Sequence, residues 1–215
     1  MPDPIMLPIF PLPVVVYPNE ELRLHIFEPR YKELIEDCKK QGIVFTIMPV
    51  IENKVMEYGT LVSLAEVTKN YPDGKSDVRL LSLRKMKMIK LLSHFPNKKY
   101  SGALMEEIED PLETTNKTLL KTIETLFQTL CSVNKVQPYR SINWESFTSY
   151  DLGHYVGFNL KQEFQFFSNF SENQRLELLV KQLESMIEQS QTRSHWLEQM
   201  HMNGEFRQYN PEEWR

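Results

Sequence analysis

The distribution of proline constrains this chain more than any other feature. Of its 13 prolines, 11 lie at or before Pro111, and only Pro138 and Pro211 follow. Proline donates no backbone hydrogen bond and breaks helix interiors, so a region this rich in it is built from short strands and turns. The remainder is free to be helical. The expectation is a change of architecture near residue 111.

The first part carries the matching strand signals. In "ELRLHI", Leu22, Leu24 and Ile26 alternate with Arg23 and His25, the period of a half-buried strand. "GIVFTIMPVI" is a continuous apolar run rich in β-branched residues, suited to a deep position in a sheet. "GTLVSLAEV" and "VRLLSLRKMKMIKLL" flank "NYPDGKSD", whose Pro-Asp-Gly marks a turn. In the longer run the apolar phase slips around Arg84 and Lys85, which predicts a β-bulge and the strong bend of a small barrel. "YSGALMEEI" reads as the last strand.

Beyond 111 the period changes. Leu119, Leu120, Ile123, Leu126, Phe127 and Leu130 form a helical stripe. "SYDLGHYVGFNLKQEFQFF" reads as a second helix, with Gly153 and Gly157 as a close-packing pair. A third helix starts at "SENQ", where Ser171 and Gln174 have capping-box spacing. Its apolar stripe runs from Leu176 through Ile187, and Trp196, Leu197 and Met200 carry it past Ser190.

One stretch raises the question of catalysis. "LRLHIFEPRYKEL", residues 22–34, crowds His25, Glu28, Arg30 and Tyr31 together. With Pro29 as the first helical position, Tyr31, Leu34, Ile35 and Cys38 fall on one face and Gly42 ends the helix. Glu28 then precedes the first turn, where a carboxylate complements the free N–H groups, and Arg30 and Tyr31 brace the junction. His25, Glu28, Pro29, Arg30 and Tyr31 are therefore read as a structural corner.

"LPIFPLPVVVYPNEELRLHIFEPRYKELIEDC" resembles the opening of the substrate-binding domain of the Lon protease family, in Leu-Pro-Ile-Phe-Pro-Leu, a Tyr-Pro turn and His-Ile-Phe-Glu-Pro-Arg-Tyr. Gly59, the "DGK" turn and a long basic-apolar strand follow in the family order, and "VGFNLKQEFQFFSNFSENQRLELLVKQLESMI" is similar to its closing helices. The long strand lacks the glycine usual near the family's bulge. The resemblance covers roughly residues 5 to 190. It implies an α+β fold, a PUA-like, mostly antiparallel β-barrel over 1–111 followed by a helical bundle over 112–190. Residues 191–215 are a C-terminal helix extension and tail without a family counterpart. The expected form is a stand-alone domain without the family's ATPase and protease domains.

Composition narrows the chemistry. The net charge of -4 does not favour nucleic acid. Cys38 and Cys131 alone build neither a disulfide framework nor a thiolate metal site, and they fit a reducing, cytoplasmic setting. Asp3, with Pro4, Pro8, Pro11 and Pro13 interrupting the apolar run, argues against a signal peptide at the N-terminus. No GxxxxGK[ST] or HExxH occurs, so catalytic residues, metal and cofactor are all assigned as none. The favoured reading is a non-catalytic module that binds unfolded polypeptide or a partner protein in proteolysis or quality control. A groove where barrel meets bundle is its expected site, with Met86, Met88, Phe164 and Phe167 as candidate lining. The alternative is RNA binding through the basic strand 79–90, which holds Arg79, Arg84, Lys85, Lys87 and Lys90. No membrane partner is expected. For Trp196 and Trp214 the readings are a homo-oligomer or partner contact through the C-terminal helix, or a loosely ordered terminus.

Overall fold

In order, the chain forms β1 (Ile5–Leu12), β2 (Glu21–Ile26), α1 (Pro29–Gln41), β3 (Phe45–Ile51), β4 (Lys54–Val55), β5 (Tyr58–Asn70), β6 (Ser76–Leu92) and β7 (Gly102–Ile108). After these come α2 (Lys117–Val133), α3 (Tyr150–Gly153), α4 (Leu160–Ser168), α5 (Glu172–Ser190) and a short β8 (Gln208–Tyr209). This computed structural model describes residues 3–134 and 142–190, and the backbone of 208–209. The tail assignments over 191–207 and 210–215, Trp196 and Trp214 among them, lie outside the described residues. Two compact units result: one runs to Glu109 and includes β8, and the other begins at Asp110.

The first unit is a closed, mostly antiparallel sheet. β1 pairs with β3 and β7, β7 with β6, β6 with β5, and β5 with β3, so five strands form a ring. β6 is 17 residues long because it serves two neighbours on one edge. Ser76–Leu81 run beside β2 and Lys85–Leu92 beside β7. At the changeover Leu61 pairs with Arg84 and Val62 with Ser82, which leaves Leu83 as an extra residue. The expected bulge is therefore present, one residue before Arg84, and it forms without a glycine. Ser82 pins the changeover to the loop before β2: its hydroxyl donates to Tyr17 O at 2.7 Å and accepts from Glu20 N at 2.6 Å.

The strand at β1 is one that the sequence reading missed, because prolines interrupt it. The register explains why they are harmless. Ile9 N donates to Ser101 O, next to β7, so the odd-numbered residues turn their backbone groups towards β7 and the even-numbered ones towards β3. Pro8 therefore lacks its donor on the β3 side, where pairing starts only at Ile9, and Pro11 lacks its donor on the β7 side, where the ladder with β1 is already past its end at Pro8.

Neighbouring residues on the ring strands serve different cores. Ile9, Met48 and Leu61 join Leu7, Met86, Ala103 and Met105 in one cluster drawn from all five ring strands. Phe10, Ile47 and Val62 belong to a second, built with β2 and with Tyr31, Leu34, Ile35 and Cys38 of α1. Strands buried on both faces account for the continuous apolar runs. Gly59 is required where these strands cross closely, because a Cβ there would collide with Ile47 O and Met48 Sδ.

The second unit is helical. α2 is capped by the Asn116 side chain, which accepts from Thr118 N and Leu119 N. The expected second helix is in fact two. Gly157 sits at φ 67° and Asn159 starts α4 with a reciprocal capping box to Gln162, so Gly153 and Gly157 do not share a helix. Ser171 Oγ accepts from Gln174 N at the start of α5, as its spacing suggests. Buried Arg175 then gathers the unit. It donates to Ser149 Oγ and Glu172 Oε2, pairs with Asp110 at 2.7 Å and lies 4.5 Å over the Tyr150 ring.

Candidate functional site

The corner at residues 22–34 folds as a corner. α1 runs from Pro29 to its left-handed stop at Gly42 and buries Tyr31, Leu34, Ile35 and Cys38. Glu28 makes no capping hydrogen bond with its side chain; its carboxylate accepts from Arg30 Nε at 2.8 Å, and the guanidinium lies 4.6 Å over the Tyr31 ring. His25 turns elsewhere. Its Nδ1 donates to Asp77 Oδ1 at 2.6 Å, and Tyr71 donates to the other carboxylate oxygen at 2.7 Å. Burial works against the charge of Asp77, but these two hydrogen bonds outweigh it and hold the carboxyl below its ordinary range. The histidine and Glu28 thus serve different partners, and the group ties β2 to the β5–β6 hairpin.

A second polar tie fixes α1. Asp37 pairs with Lys98 at 2.7 Å and accepts from Tyr100 Oη at 2.8 Å. Burial opposes its ionisation, and Lys98 and Tyr100 overcome that and depress its pKa. Burial pushes the neighbouring Cys38 thiol up to about 12, far from a reactive thiolate.

The proposed lining residues separate on inspection. Met86, at 1% exposure, and Phe167, at 0%, are core side chains of their own units and present no surface. Residue type and strand or helix position do not reveal which face packs inward. Met88 is half-buried against the barrel core, and Phe164 is half-buried on α4.

The basic strand also changes character. Arg79 is shared between Glu66 and Glu21, Arg84 pairs with Glu107, and Lys85 is only 3% exposed. Three of the five cations are thus paired with carboxylates or buried, and Lys87 and Lys90 remain at the surface. Nothing in this arrangement adds support to RNA binding through 79–90.

What the barrel does offer is bare apolar surface. Met6 (46% exposed) and Ile5 open β1, and Ile89 (48%) and Leu91 lie towards the end of β6, all classed among the exposed large hydrophobics. Register brings Met6 and Ile89 together, whereas Ile5 and Leu91 fall on the opposite face with Leu7, Ala103 and Met105. Met6 pairs with Leu104 on β7, and Leu104 pairs with Lys90 on β6, with Ile89 in the bulge between Met88 and Lys90. Strands ~4.8 Å apart place Met6 and Ile89 within roughly 10 Å. No proline count or charge pattern pointed to this strip; the apolar ends of "IMLPIFPL" and "MKMIKLL" were the available signal.

Comparisons with known proteins agree with this architecture. The family model for the ATP-dependent protease La (LON) substrate-binding domain matches residues 6–185. A Lon N-terminal domain protein from Xanthomonas campestris is 21% identical with a TM-score of 0.63, over 82% of this chain and 98% of that one. The N-terminal domain of a Mycobacterium avium complex Lon protease is 12% identical with a TM-score of 0.64, over 84% of this chain and 98% of that one. At these identities the two structures establish the fold.

Proposed function

Because this chain belongs to the LON substrate-binding domain family, whose role is protein binding in proteolysis, we propose that it captures exposed apolar segments of polypeptide on the strip formed by Met6 and Ile89 beside the half-buried Leu104. The observation that carries the reading is two large apolar side chains, Met6 and Ile89, exposed on register-linked strands on one face of the sheet. Folded proteins rarely leave such side chains together in water without a use for them. Covering a half-exposed side chain of this size is worth about 1 kcal/mol, so the two together support weak, sequence-tolerant binding. The flexible thioether of Met6 suits varied partners. Among the described residues no helix is long and apolar enough to cross a membrane, and the reading places the protein in the cytoplasm among unfolded or partner proteins. No step needs nucleotide, metal or cofactor.

The test is fluorescence anisotropy with a labelled, reduced and carboxymethylated protein as the unfolded probe. Wild type binds it without nucleotide. Met6→Glu combined with Ile89→Glu weakens binding by about 10-fold, the factor expected for a loss near 1.4 kcal/mol. Undiminished binding in the double variant removes the strip from the mechanism.

A further inference from the structure

The first unit has open strand edges among its described residues, and two of the longer ones, on β5 and β2, differ in regularity. Beyond Val62 one edge of β5 is unpaired, but Ala65 and Thr68 fall out of register with β6 and break that edge. Such bulges blunt an edge against further pairing. β2 has none. It runs in unbroken register with β6 from Glu21 to Ile26, and among the described residues its other edge meets only β8, in parallel, at Arg23 and Leu24.

The direction of the β2 backbone groups follows from one hydrogen bond. Ser82 N donates to Glu20 O, and the register makes Glu20 and Ser82 opposite residues. Hydrogen-bonded and non-hydrogen-bonded pairs alternate in an antiparallel ladder. Leu22, Leu24 and Ile26 therefore turn their N–H and C=O groups to β6, and Glu21, Arg23 and His25 turn theirs outward. The close approach of His25 to Asp77 agrees, because non-hydrogen-bonded pairs bring side chains nearest. Three residues thus aim backbone donors and acceptors at an edge that a two-residue strand only partly covers.

We propose that the outer edge of β2 is a strand-accepting site for an extended polypeptide, and that the Gln208–Tyr209 segment is its internal competitor. This rests on the polypeptide-binding reading above and adds a second mode of contact to it. Recognition by main-chain hydrogen bonds ignores side-chain identity, which suits a protein that takes unrelated clients. The internal segment is tethered and so acts at high effective concentration. Its ladder is short, and each hydrogen bond contributes only about 1 kcal/mol, so it can be displaced. A client meets only the molecules whose edge is open, and its apparent affinity falls by that fraction.

Gln208→Pro with Tyr209→Pro removes both N–H donors of the segment without touching the barrel. By NMR hydrogen exchange, the Arg23 amide of this variant exchanges faster than in wild type, while the Leu24 amide, committed to β6, keeps its protection. A labelled peptide of residues 204–213 added in trans binds the variant, and N-methylation at its Gln208 and Tyr209 positions abolishes that binding. The unfolded probe binds the variant about 10-fold more tightly than wild type, as expected if the edge is open about a tenth of the time. Unchanged exchange at Arg23, or an N-methylated peptide that binds as well as its parent, overturns the edge site. Equal probe affinity for the two forms overturns the competition. Probe binding to neither form, with the trans peptide still bound, overturns the functional reading and leaves the strand-accepting edge supported.

Discussion

Met6 and Phe10 lie on the same face of one strand, an even number of residues apart, yet only one of them is covered. Phe10 stacks on Tyr31 of α1 with ring centroids 3.6 Å apart and joins a cluster with Phe45 and Leu24. Met6 continues that face into solvent beside Leu104 and the bulged Ile89. Among the described residues, a helix covers one end of the face and none covers the other. Apolar surface that folding covers contributes stability, whereas apolar surface left bare contributes nothing until something else covers it. The two ends of β1 therefore separate the residues that hold this fold from those that can act on a partner.

The sharpest way to break the comparison is to truncate the covered end. Phe10→Ala removes a buried aromatic from between α1 and the sheet and is expected to cost about 3–5 kcal/mol. Urea denaturation measures it directly. Met6→Ala in the same assay should move stability by less than about 0.5 kcal/mol. A loss above 1 kcal/mol at Met6 means that the strip is packed after all.

A smaller effect tests what keeps α1 in place. Asp37→Asn keeps the shape but removes the charge that holds Lys98, and should cost about 1–3 kcal/mol. The pH dependence has a definite sign. Asp37 and Asp77 both have folded pKa values below the ordinary value, so the unfolded chain binds protons more readily. Their stabilisation is complete above about pH 5, declines as pH falls past the unfolded value near 3.9, and is lost through the lower folded values. Denaturation midpoints followed from pH 7 to pH 3 should fall less steeply in Asp37→Asn than in wild type. Parallel curves would mean that this carboxylate does not tie the helix down.

Much of the covered end was legible from residue order alone. Pro29, the Tyr31–Leu34–Ile35–Cys38 face and Gly42 specify α1 locally, and the alternation of Leu22, Leu24 and Ile26 specifies β2. The phase slip in β6 announced its bulge to within a residue or two of Leu83. What stayed hidden depends on partners distant in sequence. β1 is a strand because its prolines face the ends of ladders, which only the register with β3 and β7 reveals. Arg175 looks like an ordinary helix residue until Asp110, Ser149 and Tyr150 converge on it. Met86 and Met6 are equally apolar in sequence, and their opposite fates follow from which face of which strand receives cover.

The least disruptive change should sharpen the comparison most, because it separates surface from scaffold. Met6→Ser with Ile89→Ser removes apolar area that is already about half in water, so little transfer free energy is at stake on folding. Stability should stay within about 0.5 kcal/mol of wild type. The binding of an apolar dye such as 8-anilinonaphthalene-1-sulfonate should nevertheless fall severalfold, because the dye reports exposed apolar surface in proportion to how much of it is contiguous. If stability and dye binding fell together, the strip would be part of the core and the bare end of β1 would be an appearance of the static fold. If dye binding alone fell, the same strand would carry structure at Phe10 and recognition at Met6, with only the reach of α1 dividing them.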